Sequence, residues 1–287
     1  MAVPLSPPRG ELIDIGGRRL RTVRAGLASA APLVVFECGA FGCAADWGVV
    51  QARLANQGLA SLAYDRAGLG FSDPGPEPRD GQAITADLER LLARLDAQGP
   101  LLLVGHSMAG QLLPIFIGRN RDRVQGLVLV DAMSADAVDV PPVSRMIEGY
   151  RRAMNLVGRW SHLGFMGPVS LVAGNLIGLE GEAAKEKRQI YGMASHARGA
   201  ALEVSCWFET SAQARAAEPY ASSLPVAVVS AGQTRLPRAL KALQAAPAAA
   251  SQHSFVADVR GANHASLLGR RHADAVVEGI SQVLKHI

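Results

Sequence analysis

Cysteine is scarce in this chain, which carries only Cys38, Cys43 and Cys206 among its 287 residues. An odd and small number of cysteines argues against a disulfide framework, because such frameworks need several paired thiols. Cys38 and Cys43 lie close in sequence, but no cluster of histidines or carboxylates beside them completes a set of zinc ligands. We therefore expect free thiols and no metal site.

A strong excess of one charge is also missing, since 29 Lys and Arg against 25 Asp and Glu leave a formal net charge of +4. The densest basic stretch, from Arg18 to Arg24, has no interleaved aromatic residues and matches no nucleic-acid-binding motif. Aromatic residues make up only 5% of the chain. We expect these arginines to be solvated surface, and the partner of the protein to be a small-molecule substrate and not a nucleic acid.

Long apolar runs are absent as well. No stretch of about eighteen apolar residues occurs, so no membrane span is expected. The first nine residues, MAVPLSPPR, contain prolines but no apolar core after a basic start, which is unlike a secretory signal. These absences predict a cytoplasmic protein, and the sequence does not indicate its oligomeric state.

What the chain does contain is an alternation of short apolar runs with longer segments of helical periodicity. Such alternation is typical of βαβ units and a mostly parallel sheet. The runs at 33–38, 59–64, 101–105, 124–130, 225–231 and 254–260 are predicted strands, after an early meander at 11–15 and 19–24. A helix is predicted near 237–244, and a final helix from about 267 to 286.

The alternation stops between residues 133 and 222, where the helical pattern is mixed and no buried strand is evident. Connections in such sheets usually span about four to six residues, so this stretch is an insertion. We predict a core made of 1–132 and 223–287, with 133–222 forming a helical cap over one end of the sheet.

The sharpest local signal is LLLVGHSMAG at 101–110, which places Ser107 on a tight turn between a buried strand and a helix. Such a turn strains the backbone of the serine and projects its hydroxyl above the sheet. Small residues are needed on both sides because strand and helix pass close together, and Gly105 and Ala109 meet that need. Ser107 is therefore the predicted nucleophile.

A serine hydroxyl is a weak nucleophile without a base to take its proton. His264 follows the last predicted strand, and carboxyl-end loops of parallel strands converge at one edge of a sheet. It is the predicted base. His106 adjoins the serine, but its side chain is expected to point elsewhere, in a structural or pocket-lining role.

The base needs a carboxylate to fix its tautomer and stabilise its charged form. The loop after the penultimate strand, where an acid is commonest, contains none. Asp131 ends the strand VQGLVLV, and the chain order Ser107, Asp131, His264 suits a serine–acid–histidine triad. Asp131 is the predicted acid, with Glu209, Glu218 and Asp258 as alternatives.

Acyl transfer also needs two amide N–H groups for the oxyanion. The turn at the start of the helix after Ser107 offers the Met108 N–H. The second donor is expected from the turn CGAFG after the first buried strand, with Ala40 N–H first and Phe41 as the alternative.

These motifs together resemble the α/β-hydrolase family over nearly the whole chain. GHSMAG, LVLVDA, the late NHASL loop and YDRAGLGFSD carry the resemblance. It implies an eight-stranded, mostly parallel sheet flanked by helices, with a helical cap, and a structural role for Asp65 and Arg66. Two features differ from the commonest pattern: Cys38 stands where many members have histidine, and the usual late acid is missing.

The resemblance does not identify the substrate. Serine at position 107 excludes the branches that use aspartate there, the haloalkane dehalogenases and soluble epoxide hydrolases. A carboxylic-ester hydrolase is predicted, with lactonase, C–C bond hydrolase, proline iminopeptidase-like and perhydrolase activities as alternatives. A pocket for a small apolar substrate is expected to be lined by the following residues: Phe41, His106, Met133, Trp160, Phe165 and Trp207.

Two other classes of protein compete with this hypothesis. A dinucleotide-dependent dehydrogenase would need GxGxxG after the first strand, and Gly39-Ala-Phe-Gly42 does not fit that spacing. No cofactor is therefore expected. A receptor-like protein that reuses the hydrolase fold to bind a ligand could retain all three predicted triad residues, so only turnover distinguishes it from an enzyme.

Overall fold

The computed structural model describes residues 8–27, 30–163, 170, 175–217, 219–232 and 237–287. Eight strands form a single sheet: β1 Glu11–Asp14, β2 Arg19–Ala25, β3 Leu33–Glu37, β4 Ser61–Tyr64, β5 Leu101–His106, β6 Val124–Val130, β7 Val226–Ala231 and β8 Ser254–Val259. Their spatial order is β1-β2-β4-β3-β5-β6-β7-β8. β1 and β2 are antiparallel to their neighbours, and β3 to β8 run parallel. The predicted fold class, an α/β sheet of this kind, is confirmed.

Helices pack on both faces of this sheet and over one end of it. They are α1 Gly48–Asn56, α2 Gly81–Arg94, α3 Ala109–Arg119, α4 Pro141–Trp160, α5 Gly181–Tyr191, α6 Ala194–Ser205, α7 Trp207–Ala216, α8 Arg238–Ala249 and α9 Ala273–Leu284. The central strands are apolar throughout because alternate side chains face opposite layers. On β5, Leu102 and Val104 pack with α1 and α9, whereas Leu101 and Leu103 pack with α2 and α3.

Two helix boundaries differ from the sequence-based expectation. The final helix begins at Ala273, after a short 3-10 turn at Ser266–Leu268. Gly269 interrupts the helix because its backbone lies against residue 177: a Cβ there would be 1.8 Å from the Ile177 carbonyl oxygen. The helix predicted near 237–244 instead continues to Ala249, with Pro247 accommodated near its end.

The segment between β6 and β7, residues 131–225, is called here the inserted segment. Its helices α4, α6 and α7 share an apolar core with the start of α3, where Ile147, Val204 and Trp207 pack with Met108 and Leu112. Helix α5 packs separately, through Ile190, on the segment after β3. The inserted segment therefore lies over the end of the sheet at which β5 gives way to α3. Across the ranges that the structure describes, no helix has the length and apolarity needed to cross a membrane.

Candidate active site

Ser107 lies on the tight turn between β5 and α3, with a positive φ of 57°. This conformation is strained for a residue with a side chain and is typical of a nucleophile elbow. Small residues allow the turn, since a Cβ on Gly105 would come within 2.9 Å of the Ala109 Cβ and 2.6 Å of Leu113 Cδ1. The serine hydroxyl is thereby presented at the carboxyl edge of the sheet.

His264 follows β8 and reaches the same edge. The Ser107 hydroxyl donates to His264 Nε2 over 3.0 Å, and His264 Nδ1 donates to Asp131 Oδ2 over 2.6 Å. Since a carboxylate accepts at Nδ1, the other ring nitrogen is left as an acceptor facing the serine. The structure thus brings together the three residues that the sequence predicts to form a triad.

Asp131 follows β6 directly and has a positive φ of 42°. Its second carboxylate oxygen accepts from the Ala231 amide and from Gln244 Nε2, each over 3.1 Å. Burial opposes ionisation of this carboxyl, but the hydrogen bonds from His264, Ala231 and Gln244 outweigh it and hold its pKa below the usual range. Asp131 is therefore ionised and oriented towards His264.

The alternative acids lie elsewhere. Glu209 is exposed on α7, where Gln213 donates to it, and Asp258 is an exposed residue of β8 paired with Lys241. Glu218 lies outside the described residues. Neither of the two described alternatives is hydrogen-bonded to His264.

His106 contacts the backbone of His264. Its Nε2 lies 3.0 Å from the His264 carbonyl oxygen, which can only accept, so this nitrogen carries the proton. Burial, together with the neighbouring His264, lowers the pKa of His106 to about 3. A neutral His106 therefore fixes the backbone of the loop that carries His264. Its side chain does not line the cavity described below, because the ring is turned towards this carbonyl.

The turn after β3, residues 38–42, packs directly against the serine. A Cβ on Gly39 would lie 2.9 Å from the Ser107 Cβ. The Gly39 carbonyl accepts from Arg66 Nη2 over 2.9 Å and from the Gly42 amide over 3.1 Å. In a trans peptide the N–H of the next residue points in the direction opposite to the carbonyl. The Ala40 N–H therefore points away from Arg66, and Ala40 lines the cavity that holds Ser107.

A cavity of about 610 Å³ opens above the three residues. Its wall is mostly apolar and comes largely from the inserted segment, through residues that include Met133, Val143, Ile147, Tyr150 and Trp207. Among the described lining residues, the ionisable side chains are Asp131, His264 and Tyr150. The cavity therefore suits an uncharged, largely apolar molecule.

Of the residues predicted to line a pocket, Met133 and Trp207 lie in this wall. Phe41 does not line the cavity, because its ring packs on Tyr191 and His196. Trp160 ends α4 and is 50% exposed on the outside of the inserted segment. Phe165 lies outside the described residues.

The sequence analysis did not indicate three residues at or near the site. Gln244 donates a hydrogen bond to Asp131, Glu203 accepts two from Arg66, and Tyr150 lines the cavity. Each comes from a distant helix, and a lone Gln, Glu or Tyr on a helical pattern carries no signal of its own. Within the described ranges, no group of three or more His, Cys, Asp or Glu is arranged to hold a metal ion.

The two buried histidines predict a pH dependence of stability. Burial, and then the nearby Lys187, lower the pKa of His196 to about 3, as burial does for His106. Below pH 6.5 the unfolded chain gains a proton at each of these histidines while the folded chain does not. Each is expected to lower the free energy of unfolding by about 2 kcal/mol between pH 6.5 and pH 5.

Urea unfolding at pH 7 and pH 5 tests this expectation. The matched variant is His196→Asn, whose side-chain oxygen can still accept from the Gly70 amide that now donates to His196 Nδ1. The fall in stability between the two pH values should be smaller in the variant by about 2 kcal/mol. Equal falls in both proteins would contradict a neutral, buried His196.

The chain belongs to the Alpha/beta hydrolase family, whose profile matches residues 34–278. The curated relatives that it matches align over half or less of their own length. One is a proline iminopeptidase from Saccharolobus solfataricus, 29% identical over 137 residues, covering 45% of this chain and 43% of the relative.

Solved structures resemble the chain over nearly its whole length. A thermophilic esterase from Thermogutta terrifontis has a TM-score of 0.68 at 21% identity, covering 93% of this chain and 94% of the esterase. An epoxide hydrolase from Vigna radiata has a TM-score of 0.75 at 14% identity, covering 96% and 98%. At these identities the likeness shows the fold, which members with different reactions share.

Proposed function

We propose that this protein is a serine hydrolase that cleaves an ester or related acyl bond of a small, mostly apolar substrate through an acyl-enzyme. The observation that carries the proposal is the hydrogen-bonded series from the Ser107 hydroxyl through His264 to Asp131. Residues 133–222 act as a helical cap that supplies most of the substrate pocket. The proposed oxyanion donors are the N–H groups of Ala40 and Met108.

The proposed reaction has two halves. His264 Nε2 takes the Ser107 proton as the oxygen attacks the substrate carbonyl, and the tetrahedral oxyanion is held by the two amides. The ester bond breaks as the imidazolium gives its proton to the leaving alcohol. Water, deprotonated by His264, then attacks the acyl-serine, and the acid product leaves with Ser107 restored. Asp131 stays ionised throughout and stabilises the imidazolium.

The chemistry of the cavity supports an ester in preference to two of the reactions seen among relatives. An aminopeptidase must bind a substrate ammonium group, yet the carboxylate among the described lining residues is Asp131, which His264 already engages. The epoxide-hydrolase branch uses aspartate as its nucleophile, and this chain has Ser107. Hydrolysis of a lactone, or of a carbon–carbon bond beside a ketone, would need the same three residues. Compounds of both kinds should therefore be assayed beside the esters.

The first test is labelling with a fluorophosphonate, which reacts with an activated serine, followed by intact-mass measurement. We expect one label per chain on the wild type and none on Ser107→Ala. The labelled wild type should no longer hydrolyse short p-nitrophenyl esters. The control is Ser281→Ala, which removes a hydroxyl on α9 that hydrogen-bonds the Val277 carbonyl. A folded wild type that neither labels nor turns over esters would instead favour the receptor-like alternative.

A further inference from the structure

Arg66 is the buried centre of a polar network that joins the inserted segment to the turn at residues 38–42. It follows β4 and is 2% exposed. Its five N–H groups all have acceptors: Glu203 takes two, Glu37 one, and the carbonyls of Cys38 and Gly39 one each, at distances from 2.7 to 2.9 Å. A guanidinium with every donor occupied has no freedom to rotate without losing a bond.

Glu203 is the residue of the inserted segment in this network. It lies on α6 in the inserted segment, is 1% exposed, and binds Arg66 through both carboxylate oxygens, at Nε and Nη2. The Nη2 group that binds Glu203 is also the one that donates to the Gly39 carbonyl. One nitrogen of Arg66 therefore links the Gly39 carbonyl to α6.

The docking of α6 on the core is built from three contacts along one helical face. His196 Nδ1 accepts from the Gly70 amide, and a Cβ on Gly199 would lie 2.2 Å from the Gly68 carbonyl oxygen. Glu203 completes the series at Arg66. Positions 196, 199 and 203 are three and four residues apart, so they share one face of the helix. Gly199 lets this face approach the loop after β4 closely enough for Glu203 to reach Arg66.

We propose that Glu203 is a positioning residue for the oxyanion hole: it holds Arg66, and Arg66 holds the Gly39 carbonyl so that the Ala40 N–H faces the reacting carbonyl. The proposal rests on the proposed serine-hydrolase function. It makes the cap a structural part of the catalytic apparatus as well as a pocket wall. Displacement of α6 would remove two of the five acceptors of Arg66, and the guanidinium would no longer hold the Gly39–Ala40 peptide in this orientation.

The charge of Glu203 is what the proposal requires, so the test variant is Glu203→Gln, which keeps the length of the side chain. A glutamine can accept from one Arg66 N–H but presents its own N–H groups to the others. Losing a whole oxyanion donor costs roughly 10²- to 10³-fold in kcat, so displacing one is expected to lower kcat by about 10- to 100-fold. KM for p-nitrophenyl butyrate should change little, because the donor acts on the tetrahedral state.

A matched control is available in Glu186→Gln. Glu186 is also a buried carboxylate of the inserted segment, and it binds Arg9 and Arg21 of the core but not residues 38–42. We expect Glu186→Gln to lower the melting temperature about as much as Glu203→Gln does, while its kcat stays nearly unchanged. Glu203→Asp, which keeps the charge on a shorter side chain, should recover part of the kcat that Glu203→Gln loses and serves as the test variant if the glutamine variant does not fold.

Affinity for 1-butaneboronic acid gives the second readout, because its serine adduct is tetrahedral and places an oxygen where the oxyanion forms. Its Kd should rise in Glu203→Gln by the same factor as kcat falls. The proposal is overturned if folded Glu203→Gln keeps the kcat and boronate affinity of the wild type. It is equally overturned if Glu186→Gln loses as much kcat, or if the loss lies in KM alone.

Hydrogen–deuterium exchange over residues 38–43 separates this proposal from the proposed function. Faster exchange there in Glu203→Gln than in Glu186→Gln would support the positioning role even if the wild type hydrolysed no ester. Unchanged exchange, in a wild type that does turn over esters, would refute the positioning role and leave the function standing.

Discussion

Replacing Ser107 with alanine is expected to lower kcat for p-nitrophenyl butyrate by about 10⁶-fold. The reason is that no acyl-enzyme forms without the hydroxyl, and water must then attack the ester directly. His264 keeps its contact with Asp131, and the two amides proposed to bind the oxyanion remain. A residual rate about 10³- to 10⁴-fold above that of the uncatalysed reaction is therefore expected from those groups and from binding.

The measurement is steady-state hydrolysis at high enzyme concentration, with the uncatalysed rate subtracted. KM should stay close to the wild-type value, because the cavity wall is unchanged. Ser281→Ala, which removes a hydroxyl bound to the Val277 carbonyl within α9, should keep wild-type kcat. A Ser107→Ala variant that retained a tenth of the wild-type rate would show that another residue is the nucleophile.

Asp131→Asn is expected to lower kcat by about 10⁴-fold. The asparagine amide would donate to His264 Nδ1 and so place the ring proton on Nε2, facing the serine. A histidine in that tautomer cannot take the Ser107 proton. The loss of the negative charge would also remove the stabilisation of the imidazolium, although Gln244 and the Ala231 amide would still hold the side chain in place.

Burst kinetics and the rate of fluorophosphonate labelling measure this effect, and both should fall with kcat. The control is Asp258→Asn, since Asp258 lies on β8 and pairs with Lys241 at the surface. That variant should retain wild-type rates. A loss below tenfold in Asp131→Asn would point to one of the other acids considered above, Glu209, Glu218 or Asp258.

The positions of the strands along the chain and the place of the serine turn could be predicted from the sequence, because both depend on local patterns. Continuous apolar runs such as LVVFE and LLLV mark strands buried on both faces. The small residues on either side of Ser107 indicate the turn between β5 and α3. The position of His264 follows because the carboxyl ends of parallel strands meet at one edge of the sheet.

The predicted start of the last helix was wrong. Gly269, which lies just before that helix, contacts the backbone of Ile177, and this contact is non-local. The expectation of solvated arginines was wrong for Arg21, which is 1% exposed and pairs with Asp65 and Glu186.

Other features depend on contacts between residues far apart in the chain. The sequence proposed Asp131 as the acid, but only the tertiary structure decided that it, and neither described alternative, lies 2.6 Å from His264. Only the fold brings Gln244 to that carboxylate and turns Phe41 and Trp160 away from the cavity. Side chains on amphipathic helices follow a similar pattern whether they face a core, a cavity or solvent, so periodicity alone does not choose among them.

By itself, the sequence determined the fold class and placed Ser107 and His264 after strands that end at the carboxyl edge of the sheet, because strand pattern and turn chemistry are local properties. The tertiary structure alone decided how the inserted segment meets that edge. The contact of Glu203 with Arg66 joins residues 137 positions apart. No local pattern specifies such a pair, because it exists only once α6 has packed on the loop after β4.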